Sequence, residues 1–432
     1  MFVSDKIGIV ADDLTGANDC SLQFHLRGCN TEILLDYSSI DANYIEDKQV
    51  LTLSTESRNI ETEEALKQVR EAVSVLKGFN IEYYFKKIDS TMRGHVAKEA
   101  LVMLEELDYD AGIILPAFPS EGRVTVGGYH LLRGIPLERT DMARDPYSPI
   151  LESNIPKILK HQLEENQDIV GLIELDTVMK GAGPILVELN NLVKQGKKLI
   201  VVDAVSDVDI KQVALVVQKS NHKILPIGAS GFAKAMGDVW LNPEGIQKTL
   251  KTVERLPKLV ISGSATKLTN TQIQTVKSMA GNNTFFIGIS VEDVINNNID
   301  NIVNLILPDL TNENIVVVHS SDIVSDLTNF SDKLLDYDIT KVEFAGMISD
   351  FLSKVCEAIV KRRKNILITI GGETSYKCCD ILNSTGLELL DEVAPAIPLC
   401  IDRNGQMIIT KSGNLGNNYT LVEILKYFEK YE

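Results

Sequence analysis

The stretch KIGIVADDLTGAND, residues 6–19, decides the class of fold. Residues 6–10 read as a buried strand, Asp12 and Asp13 stand at its carboxyl end, and Thr15-Gly16-Ala17 opens a helix. A strand that passes through a short polar turn into a helix is the building unit of an α/β protein. In an open α/β sheet, ligands gather beyond the carboxyl ends of the strands, and the first amides of the next helix can receive an anion. Two adjacent carboxylates at such a point repel each other and need a purpose, such as a cation or a hydroxyl proton. The competing reading gives Asp13 the helix cap and turns Asp12 to solvent.

Outward from this unit the same alternation continues. Apolar runs predict strands over 7–10, 32–35, 50–53, 83–88, 112–115, 199–202, 259–262, 284–287, 315–318 and 366–370. Helical spacing marks 63–76, 97–107 and 271–279. This order predicts two α/β domains with mainly parallel sheets covered on both faces. A turn, a polar basic helix and a proline over 241–257 (LNPEGIQKTLKTVERLP) mark the boundary, giving domains at 1–245 and 246–432. There is no internal repeat, and the Asn-rich stretch 296–304 reads as a helix end and loop.

Composition narrows the partners. With 43 Lys+Arg against 60 Asp+Glu among 432 residues, the net charge of −17 argues against nucleic acid and anionic membrane surfaces. No apolar run approaches the roughly 18 residues a membrane-spanning helix needs, and the amino terminus moves straight into a strand without a basic leader, so a cytoplasmic location is expected. The six cysteines (Cys20, Cys29, Cys356, Cys378, Cys379, Cys400) contain no C-x-x-C pair and read as small core residues in a reducing compartment.

Further strand ends repeat the style of the first. KKIDSTMRGH, residues 86–95, sets Lys87 and Asp89 on one face, with the Ser90 and Thr91 hydroxyls and Arg93 following. These groups suit a small polyhydroxylated anion, and Arg93 carries a fork that matches a carboxylate. The competing reading is a Ser/Asp-capped helix with surface bases. TLSTESR, residues 52–58, brings Arg58 as a second carboxylate ligand. PAFPSEGR (116–123), then Gly127-Gly128-Tyr129-His130 and Asp145-Pro146, read as a shaped loop, with His130 a hydrogen-bonded scaffold residue. In the second half, SGSAT (262–266), GGET (371–374) and KSGNLG (411–416) end strands in glycine turns whose amides can cradle phosphate beside Lys411. None is a P-loop or a G-x-G-x-x-G fingerprint.

Together these strings resemble the four-carbon acid sugar kinase family. ADDLTGAND (11–19), the element ending at Arg58, KKIDSTMRG (86–94) and PAFPSEGR are similar to its N-terminal domain. SGSAT, GGET and KSGNLG are similar to its C-terminal nucleotide-binding domain, so the likeness runs from Asp12 to Gly416. The resemblance implies a sugar-acid domain, a nucleotide domain and an active site in the cleft between them. It further implies ATP-dependent phosphorylation of the terminal 4-hydroxyl of threonate, erythronate or 3-oxo-tetronate, with Mg²⁺, and a homodimer as the default assembly. On this reading Arg58, Lys87 and Arg93 hold the carboxylate, Asp89 and Ser90 hold hydroxyls, and Asp13, or failing that Asp12, takes the proton. ATP rests on Ser264, Thr266, Gly371, Gly372, Thr374, Gly413, Asn414 and Gly416, with Lys411 near phosphate and Glu373 at the ribose or the metal.

Three departures from the family pattern stand out. Ala396 replaces the glycine of a Pro-Gly-x-Pro turn, Leu415 replaces an aromatic residue, and Ala265-Thr266 replaces Cys-Ser. If the turn needs φ > 0, Ala396 costs on the order of 1 kcal/mol. A non-catalytic sugar-acid sensor on the same fold is the rival reading. An NAD-dependent oxidoreductase is weaker, lacking its glycine fingerprint.

Overall fold

The strand over Lys6–Ala11 (β1) lies inside a parallel sheet, and every residue after Lys6 is buried. Cover on both faces is why its sequence is nearly all apolar. The computed structural model describes residues 6–38, 40, 45–144, 148–164, 167–241, 256–311, 314–321, 323, 334 and 337–431. The chain forms two compact units, Met1–Gln247 and Lys248–Glu432. Most of the predicted boundary segment 241–257, including the 245/246 division, lies outside the described residues, as do Asp145 and Pro146.

In the first unit the strands are β1, β2 (Thr31–Leu34), β3 (Val50–Ser54), β4 (Ile81–Lys87), β5 (Ala111–Leu115), β6 (Arg123–Val126), β7 (Tyr129–Leu132), β8 (Ile135–Pro136), β9 (Val170–Ile173), β10 (Leu199–Val202) and β11 (Ile224–Gly228). The main sheet runs β2-β3-β1-β4-β11-β5-β10-β9 and its described pairings are parallel. Its helices are α1 (Leu14–His25), α2 (Thr62–Lys77), α3 (Val96–Glu106), α4 (Ile155–Leu163), α5 (Leu175–Val178), α6 (Ala182–Lys194), α7 (Asp207–Lys219) and α8 (Ser230–Trp240). Side-chain alternation divides the core into two layers. Ile7 and Ile9 pack with Phe24 of α1 and Phe232 of α8. Val10 faces the other way, into a layer with Val69 of α2 and Met103 of α3. Trp240 stacks on Tyr83 at 5.0 Å and on Phe24 at 6.2 Å between ring centroids.

The segment read as a shaped loop is in part a small antiparallel sheet, β6-β7-β8. Gly127 and Gly128 turn the β6–β7 hairpin with φ of 59° and 75°, the left-handed pair that a tight hairpin favours. A Gly-Gly flanked by Val126 and Tyr129 was the signal for it.

The second unit contains β12 (Lys258–Ser262), β13 (Thr284–Gly288), β14 (Ile315–His319), β15 (Ile366–Ile370), β16 (Gly386–Ala394), β17 (Ile397–Asp402) and β18 (Met407–Lys411). They are ordered β13-β14-β12-β15-β18-β17-β16; the first five are parallel and the β17 pairings are antiparallel. Its helices are α9 (Lys267–Met279), α10 (Val291–Ile295), α11 (Ile299–Ile306), α12 (Lys341–Val360), α13 (Gly372–Ile381) and α14 (Thr420–Lys426). The Asn-rich stretch is a turn between two helices, α11 beginning inside it. Leu415, where the resemblance leads one to expect an aromatic residue, packs half-buried against the core of this unit. All six cysteines are buried and none forms a disulfide. Among the described residues no helix is long and apolar enough to cross a membrane.

The β16–β17 turn carries the departure at Ala396. Its φ is +62°, and its amide donates to Glu392 Oε1 at 2.9 Å. An L-residue with a Cβ is strained there. Ala396→Gly is therefore expected to raise the unfolding free energy by about 1 kcal/mol, read by urea denaturation; an unchanged or lowered value would remove strain from the account.

Candidate active site

Register sets the first group of residues level. Ala11 of β1 pairs with Ser54 of β3 and Lys87 of β4, and Lys87 pairs with Gly228 of β11. The segments that follow these strands, with Asp12 and Asp13, Thr55–Arg58, Ile88–Arg93 and Ser230, therefore emerge along one edge. Asp13 caps α1, its Oδ1 accepting from the Gly16 amide at 2.8 Å and its Oδ2 from the Thr15 hydroxyl at 2.7 Å. The cap half of the competing reading holds; the solvent half does not, because Asp12 is buried. Arg58 bridges the acid pair. Its Nε donates to Asp12 Oδ2 at 2.8 Å, Nη1 to Asp13 Oδ2 at 2.7 Å, and Nη2 lies 2.6 Å from Asp13 Oδ1. One guanidinium thus offsets the repulsion between two adjacent buried carboxylates. Burial pushes the Asp13 carboxyl up, but Arg58, Lys87 and the Thr15 hydroxyl outweigh it and hold it below the ordinary carboxylate value.

Asp89 is engaged the same way. Arg93 places Nε on its Oδ2 at 2.9 Å and Nη2 on its Oδ1 at 3.1 Å, and Thr91 adds its amide and hydroxyl. Burial alone would raise the Asp89 carboxyl; Arg93 and Arg58 hold it well below its usual value. Arg58 and Arg93, expected at the carboxylate of a ligand, each pair here with carboxylates of the chain itself. Lys87 is buried and donates to the Ile88 carbonyl at 2.8 Å. Gly16 makes room for it, since a Cβ there would sit 2.9 Å from Lys87 Nζ and 2.6 Å from Asp13 Oδ1. Ser90 is half-buried beside this group. Lys86 points to the other face and pairs with Glu99 at 2.7 Å, both fully buried, as a structural link to α3.

The Arg58 clamp makes a stability prediction. Arg58→Met removes the cation that two buried carboxylates share, leaving Asp13 with Lys87 and its cap bonds only, and should cost about 3–5 kcal/mol by urea denaturation. With the Asp13 and Asp89 carboxyls lowered by folding, their contribution is complete above the ordinary carboxylate value. It is lost as the pH falls below that value toward the depressed ones. A variant as stable as the wild type would show that the clamp contributes nothing.

Sequence reasoning passed over Asp19, Ser230 and Arg123. Asp19 lies on the same face of α1 as Gly16, three residues on, a spacing legible in the string. Ser230 donates its hydroxyl to Asp19 Oδ2, while burial raises the Asp19 carboxyl to about 6 against the pull of Lys87. His130 is fully buried against Thr125, and burial lowers it to about 4, so it stays a neutral scaffold residue.

In the second unit, β12, β14, β15 and β18 end level: Ser262 pairs with His319 and Ile370, and Ile370 with Lys411. The loops after them pack closely. A Cβ on Gly413 would meet Ser264 Oγ at 2.2 Å, and one on Gly263 would meet Thr374 Oγ1 at 2.3 Å. Thr266 and Thr269 donate their hydroxyls to the Gly413 carbonyl at 2.9 and 3.0 Å, and Gln272 holds the Asn417 carbonyl at 2.7 Å. Gly371, with φ of 114°, starts α13 without a side-chain cap, so the amides of the first turn through Gly372, Glu373 and Thr374 face an anion-ready end. Glu373 itself pairs with Lys377 at 3.3 Å. Gly416 (φ 85°) turns the loop back toward Thr420, and Asn414 stays half-buried at its bend. Lys411 is fully buried; its Nζ donates to the Ser412 carbonyl at 2.9 Å, and burial lowers it to about 7. His319, in register with Ser262 and bonded to the Ser321 hydroxyl at 2.6 Å, was not anticipated. Among the described residues no three acidic, imidazole or thiol side chains converge as a metal cage.

Residues 7–236 match the family model of a sugar-binding N-terminal domain, and residues 259–421 that of a nucleotide-binding C-terminal domain. A D-erythronate kinase of Heliobacterium modesticaldum is 30% identical over 426 residues, covering 96% of this chain and 94% of its own. The chain belongs to the four-carbon acid sugar kinase family. A D-threonate kinase of Salmonella typhimurium is 28% identical over 434 residues, covering 98% of this chain and 99% of its own. The fold of this family member also matches the crystal structure of Haemophilus influenzae protein HI1011, with a TM-score of 0.71 at 24% identity over 98% of this chain and 100% of that one. The sugar-binding match lies in the unit that carries the Asp12–Asp13–Arg58 cluster, and the nucleotide-binding match in the unit with the glycine turns.

Proposed function

We propose that this member of the family transfers the γ-phosphoryl group of ATP to the terminal 4-hydroxyl of a four-carbon sugar acid such as threonate, erythronate or 3-oxo-tetronate. The observation that carries the proposal is the pair of buried carboxylates at the end of β1, held apart from solvent by one arginine. Phosphoryl transfer asks the protein mainly for positioning and charge stabilisation, with a carboxylate to orient and receive the hydroxyl proton. All four lone-pair sites of Asp13 are engaged by Gly16, Thr15 and Arg58, whereas Asp12 Oδ1 has no partner among the described residues. This distribution supports Asp12 as the proton acceptor and Asp13 as the residue that fixes Arg58 and the helix. Lys87, Ser90 and Arg93 border the acid in this reading.

In the second unit the uncapped start of α13, Ser264, Thr266 and the 411–416 turn suit the phosphates, and Lys411 supplies the buried cation. Mg²⁺, when bound with the phosphates, would neutralise their developing charge. Such an ion keeps waters and takes one or two carboxylates, a demand that Glu373, beside the Gly371–Gly372 turn and paired with Lys377, would meet with one of its oxygens. The test is an ADP-release assay over the stereoisomers of threonate, erythronate and 3-oxo-tetronate. ADP release with one acid supports the kinase, and binding without release would leave the sensor reading in its place.

A further inference from the structure

With Arg58 and Arg93 both engaged, the buried guanidinium of Arg123 stands without a matched partner among the described residues. We infer that Arg123 holds the carboxylate of the bound sugar acid while Asp19 receives one of its hydroxyls, an assignment that rests on the kinase reading for the class of ligand. Arg123 begins β6, and its backbone is fixed by two bonds with Phe118, 2.8 and 3.1 Å long. The rest of the hairpin is clamped to the end of β10. Asp203, the next residue, accepts from the Gly127 and Gly128 amides at 2.6 and 2.9 Å, and Thr125 and Ala204 exchange backbone bonds at 2.9 and 3.1 Å. The guanidinium is thus delivered by rigid backbone rather than by a loose loop.

Its side chain is only 12% exposed, and Nε is buried with no hydrogen-bond partner among the described residues. The nearest carboxylate, Glu121, is 3.9 Å from Nη1, beyond hydrogen-bond distance, while Asp89 and Asp19 reach it through their fields. A buried guanidinium this poorly matched is costly unless an anion completes it. Its planar fork fits two coplanar oxygens, as in a carboxylate. Asp19 presents the complementary vacancy for a hydroxyl: Oδ2 is taken by Ser230, and the buried Oδ1 has no partner among the described residues. A cation with an unfilled fork and an acceptor with unfilled lone pairs, in electrostatic contact, describe a hydroxy acid.

The experiment uses the full chain, wild type, Arg123→Gln and Arg123→Lys, titrated by calorimetry with D- and L-threonate, D- and L-erythronate, and the uncharged alditols threitol and erythritol. ADP release is measured in parallel. The wild type is expected to bind one acid and to discriminate strongly against its alditol. Arg123→Gln should weaken that acid about tenfold to hundredfold, the value of a charged hydrogen bond, and erase the preference over the alditol. Arg123→Lys should restore part of it, and KM for ATP should stay unchanged. The thermal midpoint of unliganded Arg123→Gln should equal or exceed that of the wild type, because an unmatched buried charge has gone. Wild-type acid affinity in Arg123→Gln, equal losses for acid and ATP, or a lowered midpoint would each overturn the assignment. Arg123-dependent acid binding without ADP release would defeat the kinase reading and leave Arg123 standing; binding of no acid by the wild type would defeat both.

Discussion

Asp12→Asn should lower kcat by about a hundredfold to ten-thousandfold, the range for removing a positioned proton acceptor, while KM for the acid and for ATP change little. The amide keeps the size of the side chain and can still meet Arg58 through its oxygen, so the fold should survive. Asp13→Asn is the control. Its carboxylate caps α1 and takes two nitrogens of Arg58, so the substitution should lower stability and raise KM together. Steady-state kinetics on both variants, with urea denaturation beside them, separates the two aspartates. The reverse pattern, near-normal turnover in Asp12→Asn and a collapse of kcat alone in Asp13→Asn, would return the proton to Asp13.

Lys411→Met should raise the thermal midpoint of the unliganded protein and weaken ATP by about tenfold to hundredfold. The two effects share one cause. Burial, with no carboxylate partner among the described residues, lowers Lys411 to about 7, so charging it in the empty protein costs free energy that an anionic ligand gives back. Removing the amine relieves the cost and forfeits the attraction. The same logic predicts a pH dependence in the wild type. Below about 7 the amine is charged before ATP arrives. Above it, binding must draw in a proton, so ATP affinity should fall as the pH rises. Calorimetry in buffers of different ionisation enthalpy reads that proton uptake directly. A pH-independent affinity, or a Met variant that binds ATP like the wild type, would remove Lys411 from the nucleotide site.

Most parallel strands were legible because a strand buried on both faces is written as an unbroken apolar run, as in residues 7–10 and 366–370, but β9 and β11, which Gly171 and Pro226 interrupt, were missed. The antiparallel strands were not legible. In β16, GLELLDEVA, Glu388, Asp391 and Glu392 interrupt the apolar residues, and the pattern resembles a helix as much as a strand. The hairpin bearing Arg123 was masked by the prolines before it, although its Gly127-Gly128 turn was a readable signal. At the candidate site, residue types and their place at strand ends could be read, since both follow from local pattern. Their pairings could not, because Arg58 and Asp12 are 46 positions apart and only the register of β1 with β3 brings them together. A sequence shows a cation and an anion; it does not show that they have already satisfied each other. Ala396 was the reverse case, a single side chain out of keeping with its turn, whose positive φ followed from the motif.

The stacked Trp240 has a use of its own. It is the one tryptophan of the chain, and it lies in the first unit against Tyr83 of β4 and Phe24 of α1, the helix that Asp13 caps. Tryptophan emission, excited at the red edge where tyrosine does not absorb, therefore observes the first unit and is blind to the second. A denaturation curve followed by tryptophan emission reports the first unit alone, whereas far-ultraviolet circular dichroism averages both. Divergence between the two signals would measure how independently the halves melt, without a label or an engineered probe.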